Sequence, residues 1–321
     1  MRNRSRAGLC LLMVFALVAV VSAKSYQGKK ILFVDSYHEG YAWSDGVTKG
    51  IKSVLDASGA ELKIVRMDTK RNGAEDFKVE AGKKAKTAID EFKPDLVIAC
   101  DDNAAKYLVV PFYKGGALPF VFCGVNWDAS VYGFPSKNVT GMLEVSDFKG
   151  LVNLLRNISK GQKIGFIADD TETTRKEALY AKIIFNIDLV PHFSKDFEDW
   201  KKGYADLQGQ VDALIFYSYA GIKDWNDKAA AEFVEANTKI PTGTLKEETM
   251  PYVMIGFLKV PEEQGQWSAN AALKILDGAS PADIPVAKNT MGDVVVNLKL
   301  ANKAGVEIPK DLIQTAGSVV K

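Results

Sequence analysis

The chain has 321 residues, 47% of them hydrophobic, and its 41 Lys and Arg against 40 Asp and Glu leave a formal net charge of +1. So balanced a chain offers no basic field for nucleic acid and no polybasic face for an anionic membrane. With three Cys and two His in all, it also has too little for a disulfide-stapled scaffold, a cysteine metal centre or a multi-histidine metal site.

The first element reads as a leader. Arg2, Arg4 and Arg6 make a basic start, residues 9–21 an apolar run, and Val21-Ser22-Ala23 a small-x-small cleavage site before Lys24, so residues 1–23 have the three-part pattern of a signal peptide. The apolar run, roughly 13 to 15 residues, is short of the ~20 that span a bilayer. Cys10 lies inside that run, whereas a lipid-modified cysteine follows it. Loss of the three arginines leaves 38 basic residues against 40 acidic ones, and the mature protein is expected to be soluble in the periplasm.

Short apolar runs then alternate with helix-period segments. Strands are predicted at 30–35, 62–67, 95–100 and 120–123, with helices near 44–57, 75–92 and 103–110. The rhythm restarts with strands at 163–168, 188–193, 213–217 and 252–257 and helices near 171–185, 196–208 and 224–237. Such alternation argues parallel sheets covered by helices, and two series of about 110 residues suggest two similar lobes. Residues 139–144, between the series, read as a crossover. A helix at 262–277, a connector with Pro281 and Pro285, and a strand at 293–297 complete the tail. Cys100 and Cys123 end predicted buried strands and read as two small buried thiols in preference to a disulfide.

Open α/β sheets bind ligands at the carboxyl ends of their strands, which directs attention to the loops there. After the first strand, Tyr37, Tyr41 and Trp43 can wall a ligand, and Ser36 can meet a carboxylate near a helix start; alternatively Trp43 packs under the first helix. His38, in the same loop, either bonds a ligand or stays an ordinary loop histidine, and His192 reads as structural. Asp102 and Asn103 suit capping the next helix, and Asp102 also suits an ammonium group. Gly124 permits close backbone approach beside Asn126, while Trp127 is either a ligand wall or a surface aromatic. In the second series, Asp169-Asp170-Thr171-Glu172-Thr173 places hydroxyls and free N–H groups at a helix start, where acidic residues are ordinary dipole complements. Tyr217-Ser218-Tyr219 would face the first lobe's aromatics, and Thr242-Gly243-Thr244 is a weaker site of the same kind. The chain has no G-x-G-x-x-G after a strand, no G-x-x-x-x-G-K-[ST], no H-E-x-x-H and no G-x-S-x-G, which leaves enzymatic readings little support.

Residues 31–50 (I-L-F-V-D-S-Y-H-E-G-Y-A-W-S-D-G-V-T-K-G), Pro94-Asp95-Leu96-Val97-Ile98-Ala99 with Pro119-Phe120-Val121-Phe122, and the tail Val294-Val295-Val296-Asn297-Leu298-Lys299 with Gly305-Val306-Glu307-Ile308-Pro309 resemble the ABC transporter substrate-binding protein family that includes tryptophan and tyrosine binders. The resemblance covers nearly the whole mature chain, and the stretch from Ser36 to Trp43 is also similar to sensor regions of some histidine kinases. Met250-Pro251-Tyr252 and Trp267 depart from the family pattern. The resemblance implies a type I periplasmic-binding-protein fold: two Rossmann-like lobes with parallel sheets, joined by three crossovers and closing by hinge motion. One lobe is expected to comprise 24–141 plus 254–286, the other 142–253 plus 287–321.

The function expected from all this is a non-enzymatic, monomeric solute-binding component of an ABC importer, working with permease and ATPase subunits and needing no cofactor or metal. The first ligand class is an aromatic amino acid. Tyr37, Trp43 and Tyr219 are expected at its ring, Asp102 and Asn126 at its ammonium, and Ser36, Thr171 and Ser218 at its carboxylate, with Asn103 and Tyr217 lining the site. The alternative is a ligand-sensing protein that reports to a membrane signalling partner.

Overall fold

The computed structural model describes residues 25–320; the expected leader lies outside them. The first series forms β1 (Lys30–Asp35), α1 (Ala42–Leu55), β2 (Glu61–Arg66), α2 (Glu75–Phe92), β3 (Leu96–Cys100) and α3 (Asp101–Ala104), which runs through a π-helical segment into α4 (Val110–Phe112), then β4 (Phe120–Asn126) and β5 (Val139–Glu144). Alternate strand residues face opposite sides of a sheet. In β1, Ile31 and Phe33 meet Val47 and Ile51 of α1, while Leu32 and Val34 meet Ala85 and Ile89 of α2. Helices on both faces are what make unbroken apolar runs such as Ile31-Leu32-Phe33-Val34 necessary.

The second series forms α5 (Phe148–Ile158), β6 (Ile164–Asp169), α6 (Glu172–Phe185), β7 (Leu189–Ser194), α7 (Phe197–Leu207), β8 (Ala213–Ser218), α8 (Asp227–Asn237), β9 (Thr242–Thr244) and β10 (Ile255–Lys259). There follow α9 (Pro261–Leu276), β11 (Ala287–Lys288), β12 (Gly292–Asn297), α10 (Leu298–Ala304), α11 (Lys310–Thr315) and β13 (Ser318–Val320). The first sheet has the order β11-β5-β4-β3-β1-β2 and is parallel throughout; the second, β13-β12-β10-β9-β8-β6-β7, is parallel except where β10 meets β12. One core fills the second lobe, around Trp200, Phe166 and Tyr217. Helix α5, which the sequence reading did not identify, buries Phe148, Leu151, Val152 and Leu155 along one stripe, and its cap Asp147 accepts from the Gly150 N–H.

The chain passes between sheets three times, at residues 145–147, at Val260 and at 289–291. These points lie a few residues beyond the expected boundaries at 141, 253 and 286. Residues 139–144, read as a crossover, are the strand β5 of the first sheet, held by pairs such as Phe120↔Val139. Strand β10 belongs to the second sheet through Ile255↔Val296 and Ile255↔Gly243, and β11 joins the first through Ala287↔Met142. An apolar run shows that a strand forms, but its sheet is settled by pairing with residues far away in sequence.

The three crossings are tied to one another. Asn289 accepts from the Val145 N–H (2.7 Å) and donates to the Val145 carbonyl (3.1 Å), linking the first and third. Glu263, just past the second, accepts from the N–H groups of Thr290 and Met291, each at 2.9 Å. Lys259 donates to Glu144 across the first and second, with both side chains largely buried. Helix α9 returns to the first lobe and lies against α1 backbone to backbone: a Cβ at Gly265 would stand 2.1 Å from the Val47 carbonyl oxygen, and one at Gly50 2.2 Å from that of Glu262. Among the described residues no helix is long and apolar enough to cross a membrane.

Candidate ligand-binding cleft

The carboxyl ends of β1, β3 and β4 form one wall and those of β6, β8 and β9 the other, with the crossings beside them. Tyr37 leaves β1 half-buried, its ring edge-on to Tyr41 at 5.4 Å. Burial first, and then the neighbouring Asp101, Cys100, Glu144 and Asp102, pushes its phenol far above the ordinary range. Asp102 and Asn126 stand together: the Asn126 amide donates to Asp102 at 2.6 Å, and Tyr132 donates to the same carboxylate at 2.8 Å. The structure thus brings Tyr37, Asp102 and Asn126 to one wall.

Other expected contacts are occupied by the protein itself. Ser36 is fully buried, donating to the Cys100 carbonyl and accepting from the Ala104 N–H, so it ties β1 to α3 and has no free hydroxyl proton for a carboxylate. Thr171 caps α6 in a reciprocal box with Thr174. Ser218 accepts from the Ala220 N–H, and Asn103 donates to Thr69. The Trp43 ring packs against the core under α1 and α9, and its indole N–H donates to Asp101 at 2.9 Å. Tyr219 stacks on Trp225, with centroids 4.5 Å apart and planes at 12°. Tyr217 is 2% exposed; its hydroxyl meets Ser146 at 3.1 Å, and burial followed by the Glu177 charge pushes its pKa well up.

Five residues that the sequence reading passed over have stronger positions. Asp101 sits at φ +70°, 2% exposed, with Oδ1 on the Trp43 indole and Oδ2 without a hydrogen-bond partner. Gly124 makes room for it, since a Cβ there would lie 2.6 Å from Asp101 Oδ1. Burial, then Glu144 and Asp35, pushes the Asp101 carboxyl well above the carboxylate range. Glu144 and Lys259 form the pair at the crossings; burial pulls the Lys259 ammonium down, but Glu144 more than offsets this and the net shift is upward. Lys246 stands over the Tyr217 ring at 5.2 Å. Glu177, 7% exposed, reaches from the second lobe to accept the Trp127 indole N–H at 2.9 Å, while Trp127 stacks on Tyr180 at 4.8 Å. One signal for Glu177 was available: it shares the buried stripe of α6 with Thr174 and Ala181, where a carboxylate is out of place.

A cavity of about 390 Å³ at the crossings is lined by Glu144, Leu245, Lys246, Glu247, Leu258, Lys259 and Asp293. A larger one, about 770 Å³, lies on the flank of α1 between Glu39, Lys52 and Arg66 and contains none of the cleft residues. We assign the site to the crossings because the aromatic and acidic groups of both lobes converge there, whereas α1 alone supplies most of the flank. Cys100 and Cys123 are free and buried, directly paired across β3 and β4. His38 bonds the Glu39 carbonyl, and His192 faces Asp199 on the second lobe. Among the described residues no cluster of His, Cys, Asp and Glu is arranged to hold a metal ion.

A family model described as ABC transporter substrate binding protein matches residues 39–320. No curated protein sequence matches the chain. Among solved structures, a ligand-free, open substrate-binding protein with adhesive properties from Clostridium difficile is 19% identical, with 91% of this chain and 99% of that one covered and a TM-score of 0.66. An ABC domain in complex with L-Trp from Streptococcus pneumonia is 19% identical over the same shares, with a TM-score of 0.52. An ABC transporter solute-binding protein from Bradyrhizobium sp. BTAi1 with bound bis-tris is 15% identical, covering 90% of this chain and 89% of that one, with a TM-score of 0.53. At these identities the likeness is one of fold: two α/β lobes of the type I periplasmic-binding-protein kind.

Proposed function

Because the chain belongs to the ABC transporter substrate-binding protein family, we propose that it captures a small ligand between its lobes in the periplasm and delivers it to an ABC permease and ATPase. The observation that carries this reading is the meeting of aromatic and acidic groups from both lobes beside three cross-tied crossings. Tyr37, Asp102 and Asn126 come from one lobe, and Tyr217 and Lys246 from the other. A hinge whose strands are bonded to one another moves as a unit, so closure brings the walls together instead of deforming either lobe.

The ligand class to test first is an aromatic amino acid. Tyr37 supplies a ring face and Asp102 with Asn126 an ammonium site; the structural neighbour holding L-Trp supports this class. Calorimetric titration of the twenty amino acids is the test. Heat confined to Trp, Tyr or Phe is the expected result, and no heat from any of the three would end the aromatic amino-acid reading.

A further inference from the structure

The cavity at the crossings is walled by charge. Five of its seven lining residues are ionisable: Glu144, Lys246, Glu247, Lys259 and Asp293. Its volume of about 390 Å³ falls in the range of roughly 300–1,000 Å³ that small-ligand pockets occupy, and such a wall suits the polar end of a ligand better than its ring. Glu144 and Lys259 are both largely buried and neutralise each other. Glu247 and Asp293 are exposed, so water screens them. The remaining cation is Lys246. It is half-buried, stands over the Tyr217 ring at 5.2 Å, and among the described residues its ammonium has no hydrogen bond or ion pair.

The backbone of Lys246 is pinned where it follows β9 on the wall of the second lobe. Its N–H donates to the Thr244 hydroxyl at 3.0 Å, and its carbonyl accepts from the Thr249 hydroxyl at 3.1 Å. Both threonines are 0% exposed, so two buried hydroxyls place this one lysine at the cavity. Glu144, on the same wall, is in register with Asn126, whose amide donates to Asp102. The ammonium site proposed above therefore borders the cavity.

We propose that Lys246 is the counter-ion for the ligand's carboxylate, which is seated in the cavity at the crossings. The hydroxyls that the sequence offered for this role, those of Ser36, Thr171 and Ser218, are bonded within the protein. An α-amino acid carries its ammonium and its carboxylate on one carbon, so a cation bordering an ammonium site matches it. Asp102 and Asn126 belong to the first lobe and Lys246 to the second, and a ligand held by both joins the lobes. That the ligand is an aromatic amino acid rests on the proposed function; that its carboxylate meets Lys246 rests on the cavity and on the unengaged ammonium.

The test is calorimetric titration of the dialysed protein at pH 6, below the α-amino range, with tryptophan, phenylalanine, tryptophanamide and phenylalaninamide. The expected result is that each acid binds at least tenfold more tightly than its amide. Amides binding as tightly as the acids, or more so, would overturn the Lys246 assignment and leave the aromatic-ligand reading standing; no heat from any of the four would overturn both. Lys246→Met, with an unchanged circular dichroism spectrum, should lose at least tenfold in tryptophan affinity and bind tryptophanamide like the parent, a split that a purely structural lysine does not give. Lys246→Gln provides the same reading if the methionine variant does not fold. A folded variant that binds tryptophan like the parent, or that loses acid and amide equally, would remove Lys246 from the site.

Discussion

Replacement of Trp127 by Phe isolates one bond between the lobes. The change keeps a ring against Tyr180 but deletes the indole N–H that Glu177 accepts at 2.9 Å. Because Glu177 is 7% exposed, the variant deprives a buried carboxylate of this donor. A hydrogen bond to a charged group contributes about 1.5–3 kcal/mol, so Trp127→Phe is expected to cost about 2 kcal/mol. At roughly 2–4 °C per kcal/mol for a chain of this size class, the midpoint should fall by about 4–8 °C. Trp127→Ala also forfeits the aromatic pair, adding ~0.5–1.5 kcal/mol. Scanning calorimetry on both variants, and on each combined with Glu177→Met, gives a double-mutant cycle. In the Glu177→Met background the cost of Trp127→Phe should shrink by at least ~1.5 kcal/mol, since no buried carboxylate is left to desert. A Trp127→Phe midpoint within about 1 °C of the parent, or a cycle with no coupling, would show that the contact adds nothing to the union of the lobes.

Two further outcomes follow from the packing and the charges. Gly265→Ala sets a methyl group 2.1 Å from the Val47 carbonyl oxygen and 2.7 Å from the Ile51 nitrogen, so α1 and α9 must part, at a cost of about 1–3 kcal/mol in urea unfolding; Gly209→Ala, whose nearest atom is 3.8 Å away, is the control that should barely move. Asp101, raised above its ordinary pKa of 3.8 by burial, then Glu144 and Asp35, keeps a proton in the folded state that the unfolded chain releases, so its contribution to stability falls as pH rises from about 4 toward the folded value. Asp101→Asn should flatten that fall in urea midpoints measured from pH 4 to 8, and an unchanged slope would refute the assignment.

Much of the architecture was legible because it depends on local pattern. β1 and α2 lie at the predicted residues, and most other elements within two or three, since apolar runs and helical stripes are written in consecutive residues. What failed was non-local. Residues 139–144 carry the same signal whether they cross between lobes or pair with β4, and α5 was missed in the stretch between two strands. The site divides the same way. Tyr37, Asp102 and Asn126, singled out as polar or aromatic residues at strand ends, lie on one wall of the proposed cleft. Ser36, Trp43, Thr171, Ser218 and Tyr219 satisfied the same rule but are bonded or stacked within the protein.

The sequence by itself determined two α/β series, the family, and the strand ends at which a ligand would be sought, because each of these rests on residues close in the chain. Tertiary structure alone decided which sheet β5 and β10 join, which hydroxyls are already engaged, and that Asp101 and Glu177, 76 positions apart in sequence, flank one end of β4. The physical reason is that a polar side chain's capacity for a ligand depends on which partners the fold has already supplied, and those partners are distant in sequence.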